Sequence, residues 1–448
     1  MTARAWGVIL LLALAIVAGT AVWLRCEGVP PEVEAPEALA VGRDGVRVTV
    51  AARDPRSGVK RLAVRLRHAG GEAVLEEVER PGNPFTGAAL RPAPPVEVEI
   101  DPKALGLEDG DAFLVVEAVD WSWADLLRGN RTVVEVPLRI DTRPPRLAVE
   151  TGLTYLRRGG AGAVVYTLSE ETARDGVQVG ESFFAGHPHP DGGERRRVAL
   201  FAVPRDAPED PSIRVVAEDA AGNRGQAGWA TRLRERSFDD VPIHLSEGFL
   251  RGKVMSLAME LDVEEEDPVA AFQVINREVR AANEARIREI TRDSADEPLW
   301  DGAFLQMRNS AVTSRFAEHR RYLVDGRQVS EAIHYGYDLA STAGAPIEAS
   351  NAGRVIFAGP LGIYGNTVVL DHGLGLFSLY GHLASIEVSE DDRVAKGGRL
   401  GVSGETGLAG GDHLHFAVMV GDHYVDPKEW WDPKWVREKI VSRLQPLE

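Results

Sequence analysis

Two short stretches of the chain hold the side chains best suited to chemistry. Ile333-His334-Tyr335-Gly336-Tyr337-Asp338 sets a histidine and an aspartate at i and i+4, and Asp412-His413-Leu414-His415-Phe416 sets two histidines at i and i+2. Histidine and aspartate are the usual zinc ligands among side chains that lack sulfur. On an extended strand, residues at both spacings point to one face. His334 and Asp338 are therefore expected to project together from one strand, and His413 and His415 from another. His382, within Leu379-Tyr380-Gly381-His382-Leu383, is a further histidine in a strand-like context. Three protein ligands with one position left open make a catalytic zinc site, so the set points to metal-assisted hydrolysis.

Ordered motifs surround these residues. They are Ala345-Pro346-Ile347-Glu348-Ala349, Gly353-Arg354-Val355, Tyr364-Gly365-Asn366, Asp371-His372-Gly373, Tyr380-Gly381-His382-Leu383, Gly404-Glu405-Thr406-Gly407 and His413-Leu414-His415-Phe416. From about His334 to Pro427 the chain resembles the lysostaphin/LytM-type zinc metallopeptidases, which cut the peptide cross-bridges of bacterial peptidoglycan. The resemblance implies that His334, Asp338 and His415 hold one Zn2+ per catalytic domain. It implies that His382 and His413 are catalytic histidines that do not bind the metal. It also implies a groove across an antiparallel sheet, with Tyr335, Tyr364, Asn366 and His372 as substrate-groove candidates. Two departures stand out. Ala417 replaces a glutamate that commonly follows the phenylalanine, and Glu390-Asp391-Asp392 replaces a glycine-containing turn. Neither removes a ligand.

Other histidines carry less. Gly186-His187-Pro188-His189-Pro190 looks like a ligand pair, but its interleaved prolines and the lack of a further ligand motif make it a solvent loop. The net charge of -17 argues against nucleic acid as a partner. Cys26 is the one cysteine, so cysteines build neither a disulfide within the chain nor the metal site.

The elements that must position the site follow from pattern. Trp6 to Leu24 is an apolar run broken only by Thr20, which reads as an uncleaved transmembrane anchor; a cleaved signal peptide is the competing reading. Runs such as Val46-Arg47-Val48-Thr49-Val50 and Val96-Glu97-Val98-Glu99-Ile100 alternate as half-buried strands do. Val115-Val116-Glu117-Ala118-Val119-Asp120 leading to Asn130, and Val215-Val216-Ala217-Glu218-Asp219 leading to Asn223, form a near-repeat. Each looks like a late strand and turn of an immunoglobulin-like sandwich. Asp267-Pro268 reads as a helix start, with Phe272, Ile275, Val279, Ala282 and Ile290 on one face. Phe304, Phe316, Arg320, Arg321 and Tyr322 mark a segment expected beside the groove.

The chain is thus expected to be multidomain and mainly β. The divisions are an anchor with its flank (1–28), two immunoglobulin-like sandwiches (29–143 and 144–235), a helical linker or regulatory segment (236–330), an antiparallel β-sheet zinc metallopeptidase domain (331–432) and a C-terminal helix (433–448). The functional expectation is a membrane-anchored zinc metalloendopeptidase acting on peptidoglycan peptides. It would sit in the cell envelope with its bulk exported to the periplasmic side of the inner membrane, and the sandwiches would meet an envelope protein partner. The alternatives are a catalytically silent regulator of other wall hydrolases and an immunoglobulin-like adhesion or scaffold protein.

Overall fold

The computed structural model describes residues 3–89 and 93–445. Its contacts divide into two units, Met1–Pro144 with Glu218–Arg224, and Pro145–Ala217 with Gly225–Glu448. The apolar run forms one helix, Ala3–Arg25, whose Leu10, Leu11, Ile16 and Trp23 side chains are exposed. The side chains of residues 1–5, Ala21 and Leu24, on which the anchor expectation partly falls, lie outside the described residues. Among the described residues no helix is long and apolar enough to cross a membrane.

In the first unit, alternation turns one face of strands such as Val46–Arg53 and Val96–Ile100 inward. Val96–Ile100 buries Val96, Val98 and Ile100 while Glu97 and Glu99 face out. That strand, Val46–Arg53 and Glu32–Glu34 make a three-stranded sheet. A five-stranded sheet runs in the order Leu39–Val41, Arg131–Ile140, Gly110–Asp120, Val59–His68, Gly71–Glu79. Val48, Val50 and Val98 from the first sheet meet Leu62, Leu66, Leu114 and Val116 from the second in one core. Two sheets that each bury one face in this way are the physical content of a sandwich. The near-repeat seen in the sequence makes the same turn twice. Asp120 accepts the Asn130 N–H at 2.8 Å and its side-chain amide at 2.9 Å. Asp219 accepts the same two groups of Asn223 at 2.9 and 2.8 Å.

In the second unit the β region after Pro145 and the C-terminal sheet share one hydrophobic core, in which Leu156, Tyr166 and Phe201 join Trp300, Phe304, Tyr337 and Trp430. Polar ties reinforce it. Glu429 accepts the Ala161 N–H at 2.9 Å and pairs with Arg157 at 3.2 Å, and Asp426 pairs with Arg236 at 2.6 Å. Here the solvent-loop reading of His187 and His189 is corrected. Both are buried; His187 bonds Asp296 at 2.8 Å, while His189 bonds Asp191 at 2.6 Å and the Arg443 carbonyl at 2.9 Å. Each ring is satisfied by its own partner, so the two do not converge on a metal.

The stretch read as helical between 236 and 330 is only half so. Asp267 caps the helix that begins at Pro268, accepting the Ala270 N–H at 2.9 Å. A π-helical turn at Ile275–Val279 interrupts the α-helical hydrogen bonding before Arg280–Ile290. The extra residue shifts the phase of the buried face, so Ala282 is exposed and Ile287 is buried instead. Beyond 310 the backbone is strand. His319–Val324 pairs antiparallel with Arg327–Ile333 and parallel with Asp240–His244. Asp325 and Gly326, at φ 47° and 76°, close the hairpin in the left-handed conformations its tight turn demands.

The largest sheet orders Ala311–Ser314, Tyr337–Ala340, Leu414–Val420, Leu376–Ile386, Asn366–Gly373, Gly353–Pro360 and Arg393–Val394 as neighbours, all antiparallel. The C-terminal helical stretch starts at Pro433, capped by Asp432, and runs on as a π-helical turn at Val436–Ile440 and a 3-10 turn at Val441–Arg443; a separate short helix, Pro427–Trp431, ends just before it. Proline at the first position of Pro427–Trp431 and of Pro433–Trp435 forces that restart.

Candidate active site

Strand pairing brings the site together. Asp338 lies directly opposite His415 on the neighbouring strand, and Gly381, next to His382, pairs with His415 from the other side. His334 joins them by a different route from the one its spacing suggested. Residues i and i+4 of one extended strand lie about 13 Å apart, too far to share an ion. His334 instead follows the end of Arg327–Ile333, and a bend at Gly336 folds the chain back before Tyr337–Ala340 begins. Gly336 is required there, since a Cβ would sit 2.6 Å from the Phe416 carbonyl oxygen and 2.7 Å from the His415 ring.

The result is a tight triangle. His334 Nε2 lies 2.9 Å from Asp338 Oδ1 and 3.1 Å from His415 Nδ1, and His415 Nδ1 lies 3.0 Å from Asp338 Oδ1. All three residues are buried. His334 Nδ1 donates to the Arg315 carbonyl at 2.9 Å, which leaves the Nε2 lone pair facing the other two atoms. Burial tends to raise the Asp338 pKa, but His334 and the hydrogen bonds around it prevail and hold the carboxyl well below its usual range. Burial drives His415 down to about 4. Two imidazole nitrogens and a carboxylate oxygen converging on one point call for positive charge there. A tetrahedral zinc ion with bonds of about 2.0–2.1 Å keeps its ligand atoms ~3.3 Å apart, close to the separations found. The donor set fits zinc, and among the described residues His415 Nε2 is buried without a hydrogen-bond partner.

Neighbouring groups hold and flank the triangle. Arg320 donates to the second Asp338 oxygen at 2.8 Å, which fixes the carboxylate orientation. His413 Nδ1 bonds the Gly411 carbonyl and His382 Nδ1 the Thr406 carbonyl, both at 2.8 Å, so each ring presents Nε2 away from its backbone partner. Their ring centroids are 4.8 Å apart, and His413 Nε2 lies 3.6 Å from Asp338 Oδ1. Burial, then the nearby His413 and His415, push His382 well below its ordinary value. Burial works in the same direction on His413, but Asp338 outweighs it and the net shift is upward. His382 adopts φ 65°, a conformation that costs a non-glycine residue energy and recurs at functional sites.

A cleft of about 500 Å³ opens over these residues. His334, Asp338, His382, His413 and His415 all line it, as do two of the groove candidates, Tyr335 and Tyr364. Tyr335 stacks on Tyr424 at 4.8 Å, and Tyr364 donates to Glu284 at 2.6 Å. The other two candidates lie elsewhere. Asn366 spends its amide on the Leu383 carbonyl at 3.0 Å. His372 is a core residue, fully buried, bonded to the Ala352 carbonyl at 2.6 Å and Ser378 at 2.7 Å, and packed on Phe304. Its groove assignment is therefore corrected: a ring with both nitrogens engaged and no exposure cannot meet a substrate. One wall of the cleft comes from Leu245, Phe249, Phe272 and Arg280 of the partly helical segment. Glu284 and Arg280 escaped the sequence reading because the π-helical turn moves them onto the buried side.

Residues 332–427 match the model of peptidase family M23, so the chain carries a family M23 domain in its C-terminal part. A peptidoglycan DD-endopeptidase, ShyB, of Vibrio cholerae serotype O1 is 36% identical over 115 residues, 26% of this chain and 26% of the relative. A DD-carboxypeptidase/endopeptidase, Mpg, of Neisseria meningitidis serogroup B is 37% identical over 95 residues, 21% of this chain and 22% of the relative. The chain thus spans about a quarter of the length of the curated relatives it matches. The catalytic domain of the antimicrobial peptidase lysostaphin from Staphylococcus simulans aligns with 28% of this chain and 92% of that one, at 28% identity and a TM-score of 0.24.

Proposed function

We propose that this protein is a membrane-tethered zinc metalloendopeptidase that hydrolyses peptide cross-links of peptidoglycan. The observation that carries the reading is the meeting of His334 Nε2, Asp338 Oδ1 and His415 Nδ1 inside a cleft flanked by His382 and His413. That this meeting falls within the stretch matching peptidase family M23 supports it.

In this reading His334, Asp338 and His415 are the metal ligands. Zinc, when bound, supplies Lewis acidity towards a water and a carbonyl oxygen. The chain's own residues do the rest. His382 and His413 direct Nε2 towards the reacting centre, where one ring can accept a proton and the other can hold a developing oxyanion. Arg320 keeps Asp338 oriented. Tyr335 and Tyr364 shape the groove, and Tyr364 is held in place by Glu284. Arg280 lines the same cleft, bonded to Asn276 but in no ion pair among the described residues, which suits a substrate carrying a carboxylate. Tethering rests on the exposed apolar side chains of Ala3–Arg25, which need a non-aqueous covering. The sheets of residues 29–235 are read as immunoglobulin-like spacers that carry the catalytic domain towards the wall.

The test is loss of turbidity of a purified peptidoglycan suspension. Clearing by the full chain that stops with a chelator and returns with added zinc supports the reading. Clearing that ignores the chelator contradicts it.

A further inference from the structure

We propose that Glu27, Asp54 and Asp120 form a binding site for a hard divalent cation of the calcium class, at the point where the chain leaves its N-terminal helix. Their carboxylate oxygens lie within 4.8 Å of one another, and the three residues are only 6%, 7% and 0% exposed. Glu27 stands two residues beyond Ala3–Arg25; Asp54 follows Val46–Arg53, and Asp120 ends Gly110–Asp120. A cation there would bolt the outgoing segment to two strand ends of the sandwich.

Two of the carboxylates are held in place by hydrogen bonds from nearby N–H groups. Asp54 Oδ1 accepts the backbone N–H groups of Arg56, Ser57 and Gly58 at 2.8, 2.8 and 2.9 Å. Asp120 Oδ1 accepts those of Ser122 and Asn130 at 2.9 and 2.8 Å, and its Oδ2 accepts the Asn130 amide at 2.9 Å.

Glu27 is the independent sign of a missing ligand. Its side chain is 2% exposed, and among the described residues neither of its oxygens has a hydrogen-bond partner of normal geometry. A buried carboxylate in that condition is costly unless a charge meets it. Among the described residues the cation paired with it is Arg56, whose Nε stands 3.8 Å from Oε2 on a side chain that is 61% exposed, a single guanidinium beside three carboxyl groups. Arg25 is committed to the carbonyls of Pro84 and Trp121. Burial, together with Asp54 and Asp120, raises the Glu27 pKa in spite of the Ser57 hydroxyl beside it, as crowding of like charges does. An all-oxygen donor set with no nitrogen or sulfur selects calcium or magnesium over zinc, and three carboxylates of different reach suit the flexible coordination of calcium.

The test is calorimetric titration of calcium chloride into the zinc-loaded full chain at neutral pH, paired with its thermal midpoint. The expected result is one site with a dissociation constant of about 10⁻⁴ to 10⁻³ M and a raised midpoint. Glu27→Gln, nearly isosteric, should weaken calcium by about tenfold or more and leave zinc content unchanged. Arg56→Gln should strengthen it by removing a competing charge. Should Glu27→Gln fail to fold, terbium emission sensitised by the tryptophans after Asp120, displaced by calcium but not by zinc, carries the test on the unaltered chain. No calcium heat and no displaceable emission, or unchanged affinity in folded Glu27→Gln, overturns the proposal.

Discussion

The His334–Asp338–His415 cluster offers two imidazole nitrogens and one carboxylate oxygen, whereas Glu27, Asp54 and Asp120 offer oxygen alone. Both clusters are buried, yet they are supported differently. In the first, His334 is braced by the Arg315 carbonyl and Asp338 by Arg320, so inner lone pairs are aimed before any ion arrives. In the second, Asp54 and Asp120 are braced by backbone N–H groups while Glu27 is not. The first cluster lines an open cleft and leaves room for a substrate. The second sits where three chain segments meet. Each cluster thus has one ligand without a hydrogen-bonded brace among the described residues, His415 in the first and Glu27 in the second, so donor atoms and access set the two apart: nitrogen with oxygen suits zinc, oxygen alone a hard cation.

The largest effect expected is at the cleft. His334→Ala should remove stoichiometric zinc and lower peptidoglycan hydrolysis by about 10³-fold or more, read by metal analysis and turnover. Glu27→Gln should change neither; if it lost zinc, the two clusters would not be independent.

His382→Ala and His413→Ala should split metal binding from catalysis. Each should retain zinc while kcat falls by about 10²–10⁴-fold. Loss of zinc in either would make that ring a ligand. A smaller effect is expected from the brace: Arg320→Gln should weaken zinc by about 10–100-fold in a competition assay with a chelating dye.

Glu429 sharpens the contrast as a buried acid with both a hydrogen-bond donor and a close cation beside it. Burial raises its pKa to about 7, although the Ala161 N–H and Arg157 oppose this. A raised folded-state pKa means a contribution that is complete below about 4.5 and lost as pH climbs through about 7, at most about 3 kcal/mol. Denaturant unfolding across that window should show stability of the second unit falling with pH, and Glu429→Gln should flatten the slope. An unchanged slope would mean that Arg157 already neutralises the acid.

Much of the cleft was legible because its ligands sit in two short motifs at fixed spacing, His334 with Asp338 and His413 with His415. The reason first given for one pair was incomplete, since a strand alone cannot bring i and i+4 to one ion; the Gly336 bend does that. The Asp325-Gly326 hairpin was also written in the sequence, as a turn signal between alternating runs, and was overlooked beside the longer helical pattern. Ala282 was misplaced because periodicity assumes an unbroken α-helix, and the π-helical turn at Ile275–Val279 violates that. His372, His187 and His189 show the limit of residue type as a guide, because only their partners reveal satisfied core rings. Glu27, Asp54 and Asp120 were illegible for another reason. They share no local motif: Glu27 follows the N-terminal helix, Asp54 follows one strand and Asp120 ends another, so only the folded chain brings them together.

The most direct test of the central claim is digestion of purified, cross-linked peptidoglycan by the full chain, with muropeptides identified by mass spectrometry. The account predicts that cross-linked dimers fall to monomers with the cleaved amide at the cross-bridge. That conversion should vanish with a zinc chelator and in His334→Ala. An unchanged muropeptide profile from folded, zinc-loaded protein would contradict it.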